Sequence, residues 1–212
     1  MAEICVIFDL DGTLVDSETL CSQAFLDLLP DLNETVESLV QRFRGRKLST
    51  ILAELADRLG KPLPVGFERS YRDRVAELFD TLLPTPGARD MLEAIRFEKC
   101  VASSGPMEKI SQALAVAGLA PFFGSNIFSS YLVGSWKPDP GLFLHAAKSM
   151  GFTPDRCVVV EDSEVGLRAA AAAGMRALHY VPQLAGSAEH LGDCFKDMAR
   201  LPQLLENFAH AV

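Results

Sequence analysis

The sequence predicts an α/β fold: a parallel-sheet core with an inserted α-helical cap domain. Three observations predict it. Short apolar runs alternate with helical patterns over most of the chain, the arrangement of a parallel sheet covered by helices on both faces. One long interval, from Asp16 to about Leu83, has helical periodicity and no strand. Several apolar runs also stop at polar or charged residues, where an open parallel sheet binds its ligands.

The first strand, Ile4–Phe8, runs into Asp9 and Asp11. A strand alternates its side chains, so these carboxylates share one side. Anions held that close need a metal, a shared proton or water to offset them. Helices follow. Asp16 or Ser17 caps one that runs to about Leu29 and stops at Pro30, and Glu34–Phe43, Leu48–Leu59 and Phe67–Phe79 supply three more. They make a cap of about residues 15–84, set into a core of residues 1–14 and 85–212. Thr85-Pro86-Gly87 opens the next helix, with proline in the first turn. Strands follow at Cys100–Ser103, Asn126–Ser129, Cys157–Val160 and Ala177–Val181. Asp139-Pro140 starts a helix over Gly141–Met150, and the alanine-rich Ser163–Ala173 closes on Gly174.

The bulk properties exclude some partners. The 212 residues are 49% apolar, enough for a sizeable core, and carry a net charge of −8. That balance argues against nucleic acid and anionic membranes, but not against an anionic small molecule, which responds to the local field. Five cysteines, an odd number without CxxC spacing, fit a reduced, cytoplasmic setting better than a disulfide scaffold. No basic leader and no membrane-length apolar run is present. No long apolar seam is present either, so a monomer is expected.

Polar residues stand at four of the five candidate strand ends: Asp9 and Asp11; Ser103, Ser104 and Gly105; Lys137, after a loop; and Glu161 and Asp162. Each has an ordinary use. Asp11-Gly12 makes a turn, Lys137 a solvated surface charge, and Glu161-Asp162-Ser163 a helix cap. Their joint placement is harder to explain by turns alone. In order, Phe8–Leu14 (FDLDGTL), Ser103, Lys137-Pro138 and Glu161-Asp162 resemble the four motifs of the haloacid dehalogenase superfamily. The helical insert resembles the C1 cap of its β-phosphoglucomutase-like subgroup. Val15–Ala24 and Trp136–Pro140 resemble the bacterial sugar-phosphate phosphatases of that subgroup.

The resemblance implies a Rossmann-like core and a magnesium-dependent phosphatase acting on a small phosphorylated sugar or sugar acid, 6-phosphogluconate among the candidates. Asp9 would be the nucleophile that forms an aspartyl-phosphate. Asp11 would be the general acid and then the general base. Magnesium would be held by Asp9, Asp162, the Asp11 backbone carbonyl and Glu161, directly or through water. Ser103 and the amides around Ser104 and Gly105 would hold phosphoryl oxygens, and Lys137 would neutralise charge. Leu14–Ser17 would be the hinge for cap closure. Arg42, Arg44, Arg46 and Lys47 are four cations in six residues. Alone they fit a solvated basic turn as well as a substrate grip. The resemblance places Arg44, Arg46 and Lys47 in the cap's specificity loop.

Three other activities compete. A haloacid dehalogenase has no need of Asp11 as proton donor. A sugar-phosphate mutase of the subgroup carries a linker histidine where this chain has Cys21, and none of its four histidines lies in the cap interval. A non-catalytic binding protein would not be expected to keep the whole motif set.

Overall fold

A computed structural model describes residues 3–182 and 193–211. Its centre is one six-stranded sheet: β1 (Cys5–Phe8), β2 (Glu98–Ser103), β3 (Ile127–Ser129), β4 (Cys157–Glu161), β5 (Arg176–Tyr180) and β6 (Cys194–Phe195). All neighbours are parallel, in the order β3-β2-β1-β4-β5-β6. β1 lies inside the sheet, with Val6 opposite Lys99 on one side and Val158 on the other. It is buried on both faces, which is why it reads as an unbroken apolar run.

The helices are α1 (Ser17–Leu28), α2 (Val36–Phe43), α3 (Leu48–Leu59), α4 (Phe67–Leu78), α5 (Ala88–Ala94), α6 (Met107–Val116), α7 (Ser130–Val133), α8 (Gly141–Met150), α9 (Glu164–Ala172) and α10 (Leu201–Ala211). The period of two in β1 divides the core. Cys5 and Ile7 belong to the cluster of Leu142 and Phe143 on α8 and Ala169 on α9. Ile4, Val6 and Phe8 join Met91 on α5, Ile110 on α6 and Leu205 on α10.

Helices α1–α4 occupy the strand-free interval. Phe25 stacks on Tyr71 at 4.1 Å and meets Phe43 edge-on at 6.1 Å, so apolar stripes from α1, α2 and α4 close on one another. α2 begins two residues later than Glu34 because Thr35 is its cap, accepting from the Ser38 amide at 3.2 Å. The chain leaves and re-enters the core side by side. Val15 bridges Asp11 and Pro84, and the Thr85 amide donates to the Leu14 carbonyl at 2.9 Å. The helices are thereby anchored at the carboxyl end of β1.

Some elements differ from expectation. β2 starts at Glu98 and β5 ends at Tyr180. The two-residue β6 and the one-turn α7 are too short for a periodic signal. α10 has apolar residues at 201, 204, 205 and 208, so its spacing was readable. Of the expected core span, residues 1–2, 183–192 and 212 lie outside the described residues. No helix among the described residues is long and apolar enough to cross a membrane.

Candidate active site

Four buried charges meet beyond the ends of β1 and β4. The Asp9 amide still donates to the Val160 carbonyl at 2.9 Å, which fixes Asp9 at the strand end. Lys137 arrives from the loop after α7. Its Nζ lies 2.5 Å from Asp9 Oδ1 and 2.6 Å from Glu161 Oε1, and the three side chains are only 3%, 10% and 1% exposed. One oxygen each of Asp9, Glu161 and Asp162 lies within 4.8 Å of the others.

Local structure aims each carboxylate. Glu161 Oε2 accepts from the Ser163 amide at 2.7 Å and its hydroxyl at 2.8 Å. The same hydroxyl caps α9 by accepting from the Gly166 amide at 3.2 Å. Thr13 Oγ1 donates to Asp162 Oδ1 at 3.1 Å. Gly12, at φ +83°, packs against the same carboxylate, and a Cβ there would stand 2.9 Å from Asp162 Cγ. The DGT run therefore turns the chain and also seats Asp162, at the end of β4 and 149 residues further on from Thr13.

The cluster has more negative than positive charge. Burial pushes Asp9 well above the usual carboxylate range, with Lys137 pulling it down and Glu161 and Asp162 adding to the rise. Burial, then Glu161, pushes Asp162 up to about 8. Burial opposes the charge on Lys137, but Asp9 and Glu161 outweigh it and hold the ammonium above its usual range. Asp162 Oδ2 is buried and makes no hydrogen bond, although Arg44 Nε stands 3.4 Å away. An all-oxygen donor set with a surplus of buried anions and an orphaned oxygen fits a hard cation.

Asp11 lies outside that cluster. Its Oδ1 accepts from Ser17 Oγ and from Lys109 Nζ, the latter at 2.7 Å. Burial would raise its carboxyl, but the Lys109 ammonium and both hydrogen bonds outweigh burial and hold it below the usual range. The two aspartates of one strand end thus sit in opposite fields. Sequence reasoning missed Lys109. On α6, beside the buried Ile110, it looks like any solvated helix lysine.

A cavity of about 540 Å³ opens above these groups, between them and α1–α4. Asp9, Asp11, Lys137, Glu161 and Asp162 line it, as do Ser104, Gly105, Arg44, Arg46 and Lys47. Ser103 does not. It is 1% exposed, and its Oγ accepts from the Gly105 amide at 3.1 Å, so it shapes the loop from within. Arg44 Nε bonds Glu18 Oε2 at 2.9 Å, and Arg46 Nη1 bonds Glu54 Oε2 at 2.7 Å. Gly45, at φ +68°, lets this loop press on the start of α9, where a Cβ would come within 2.7 Å of Ser163 Cβ.

The family model of the haloacid dehalogenase-like hydrolases matches residues 5–174. The chain belongs to this family. It is 37% identical over 179 residues to the 6-phosphogluconate phosphatase of Escherichia coli K12, covering 82% of this chain and 81% of that one. It is 30% identical over 184 residues to the phosphorylated carbohydrates phosphatase of Thermotoga maritima, covering 83% and 84%. The crystal structure of a haloacid dehalogenase-like protein of unknown function from Agrobacterium tumefaciens superposes with a TM-score of 0.84 at 29% identity, over 98% of this chain and all of that one. The parallel α/β core expected from the sequence is thus the haloacid dehalogenase fold. Glu18 also lines the site of this hydrolase, although in sequence it reads as an ordinary first-turn acid of α1.

Proposed function

We propose that this hydrolase is a magnesium-dependent phosphatase of small phosphorylated sugars or sugar acids, with 6-phosphogluconate the leading substrate. It is an enzyme of the phosphatase type, and the relatives named above act on phosphorylated carbohydrates. The observation that carries the reading is the unequal pair at one strand end: Asp9 facing Lys137, Glu161 and Asp162, and Asp11 set apart on Lys109 and Ser17.

On this reading a carboxylate oxygen of Asp9 attacks phosphorus, and the ester P–O bond breaks as the aspartyl-phosphate forms. Asp11, which Lys109 holds ionised in the free enzyme, would take up a proton as the phosphate ester binds, give it to the leaving alkoxide, and then take one from the water that attacks the phosphorus. That second attack releases inorganic phosphate and restores Asp9. Lys137 holds Asp9 in place and offsets phosphoryl charge, while Ser104 and the Gly105 amide face the phosphoryl oxygens. Asp9, Asp162 and the Asp11 carbonyl would hold magnesium, with Glu161 a direct or water-mediated ligand. When bound, the ion supplies positive charge against the phosphoryl oxygens. Residues 15–84 would act as a cap that excludes water, hinged at Leu14–Ser17, on a core of residues 1–14 and 85–212. The enzyme would act as a cytoplasmic monomer.

A sugar-phosphate mutase is the second reading. Against it, Cys21 lines the cavity and none of the described histidines does. Phosphate release from a panel of phosphorylated metabolites, with magnesium and with chelator, tests both. Chelator-sensitive release, fastest on 6-phosphogluconate, is expected. If β-glucose 1-phosphate with its 1,6-bisphosphate gave glucose 6-phosphate faster than free phosphate, the mutase reading would replace this one.

A further inference from the structure

Six cations line the cavity: Arg44, Arg46, Lys47, Arg72, Lys109 and Lys137. Five are already met by carboxylates. Arg44 bonds Glu18, Arg46 bonds Glu54, Arg72 bonds Glu68, Lys109 bonds Asp11, and Lys137 bonds Asp9 and Glu161. Among the described residues, Lys47 is the one cavity-lining cation with no carboxylate in ion-pair reach. Its Nζ instead stands 4.3 Å from the centre of the Trp136 ring.

This placement is built from both sides. The Lys47 carbonyl accepts from the Thr50 and Ile51 amides at 3.0 and 3.2 Å, so the start of α3 fixes its main chain while its side chain crosses to the core. Trp136 is braced by Tyr131, edge-on at 5.5 Å, and the Tyr131 hydroxyl accepts from Arg72 Nη2 at 3.2 Å. An ammonium over an indole face is held extended and partly desolvated, without its charge being cancelled. Trp136 also directly precedes Lys137, so the free charge lies beside the phosphoryl end without being part of it.

We propose that Lys47 and Trp136 form a carboxylate subsite, which makes the enzyme selective for a phosphorylated sugar acid over the matching neutral polyol phosphate. The proposal rests on the phosphatase reading above. One uncompensated ammonium matches one carboxylate; a second phosphate dianion would leave charge unmet. The indole face beside it suits the C–H face of the carbon chain. Arg44 and Arg46, expected from the sequence to share this grip, have their charge met inside the protein. The anion-binding role therefore falls on Lys47.

The test uses two substrates with the same open six-carbon chain and the same 6-phosphate: 6-phosphogluconate, with a carboxylate at C1, and glucitol 6-phosphate, with an alcohol there. The intact enzyme should favour the acid in kcat/KM by about tenfold or more. Lys47→Met should collapse that ratio towards one, chiefly by raising KM for the acid, whereas Lys47→Arg should keep most of it. Trp136→Leu should lower the ratio in the same direction by a smaller factor. Equal losses on both substrates in Lys47→Met, or no preference in the intact enzyme, would overturn the subsite and leave the phosphatase reading standing. Absence of phosphate release from any ester would overturn both.

Discussion

Asp9→Asn lowers phosphate release from p-nitrophenyl phosphate at saturating magnesium by at least about 10⁴-fold, because an amide cannot attack phosphorus and no other described carboxylate replaces it. Glu161 is bound to Lys137 and Ser163, and Asp11 to Lys109 and Ser17. The variant should nevertheless fold well. Burial holds Asp9 above its ordinary value, so its ionised form weighs against the native state once the pH exceeds the unfolded carboxyl's value of about 4. A neutral isostere removes that penalty, and Lys137 keeps Glu161 as a partner. The melting temperature of Asp9→Asn should therefore equal or exceed that of the parent at pH 8, with the difference shrinking as the pH falls towards 4. An inactive and stable protein assigns Asp9 to the chemistry; full activity would remove it from that role.

Lys137→Met should be costly twice over. Activity falls because the phosphoryl end loses its buried cation. Stability falls because Asp9 and Glu161 lose the ammonium that joins them at 2.5 and 2.6 Å. Removing one partner of a buried ion pair costs about 3–5 kcal/mol, which for a chain of this size is roughly 6–20 °C in melting temperature. The sign of the pH dependence is set. Without Lys137, Asp9 loses the cation that pulls its raised carboxyl down and holds its proton more tightly in the native state, so the penalty shrinks as the pH falls towards 4 and grows as the pH rises. Thermal unfolding at pH 5 and pH 8 reads this directly. A variant as stable as the parent at pH 8 would show that the ammonium does not balance these acids.

The parts of the site legible in the sequence are those that strand ends deliver. Asp9, Glu161 and Asp162 follow apolar runs buried on both faces, so the break from apolar to acidic is sharp. The four helices of the inserted segment were also legible, since α2 and α3 carry strong one-sided apolar stripes that end at Phe43 and Leu59. What was not legible depends on contacts between elements. Lys109 has an ordinary helical neighbourhood, and only the fold carries it to Asp11, 98 residues away in sequence. Within the basic run 42–47, Arg44, Arg46 and Lys47 were expected to share the substrate grip, yet Glu18 and Glu54 meet Arg42, Arg44 and Arg46 and leave Lys47. Gly12 and Gly166 looked like turn and helix residues, but both sit where a Cβ would strike a carboxylate of the cluster. Ser103 stood at a strand end like the acids, but a hydroxyl is small enough to bond its own loop rather than face the cavity.

The central claim is that phosphorus passes through Asp9. Acid quenching of the enzyme during turnover of 6-phosphogluconate, followed by borohydride, reduces an acyl phosphate to the alcohol and so converts a phosphorylated aspartate to homoserine. Peptide mass spectrometry should then find homoserine at position 9, in the substrate-treated sample and not in a control without substrate. Rapid phosphate release with an unmodified Asp9, or homoserine at Asp11 or Asp162 instead, would contradict the account.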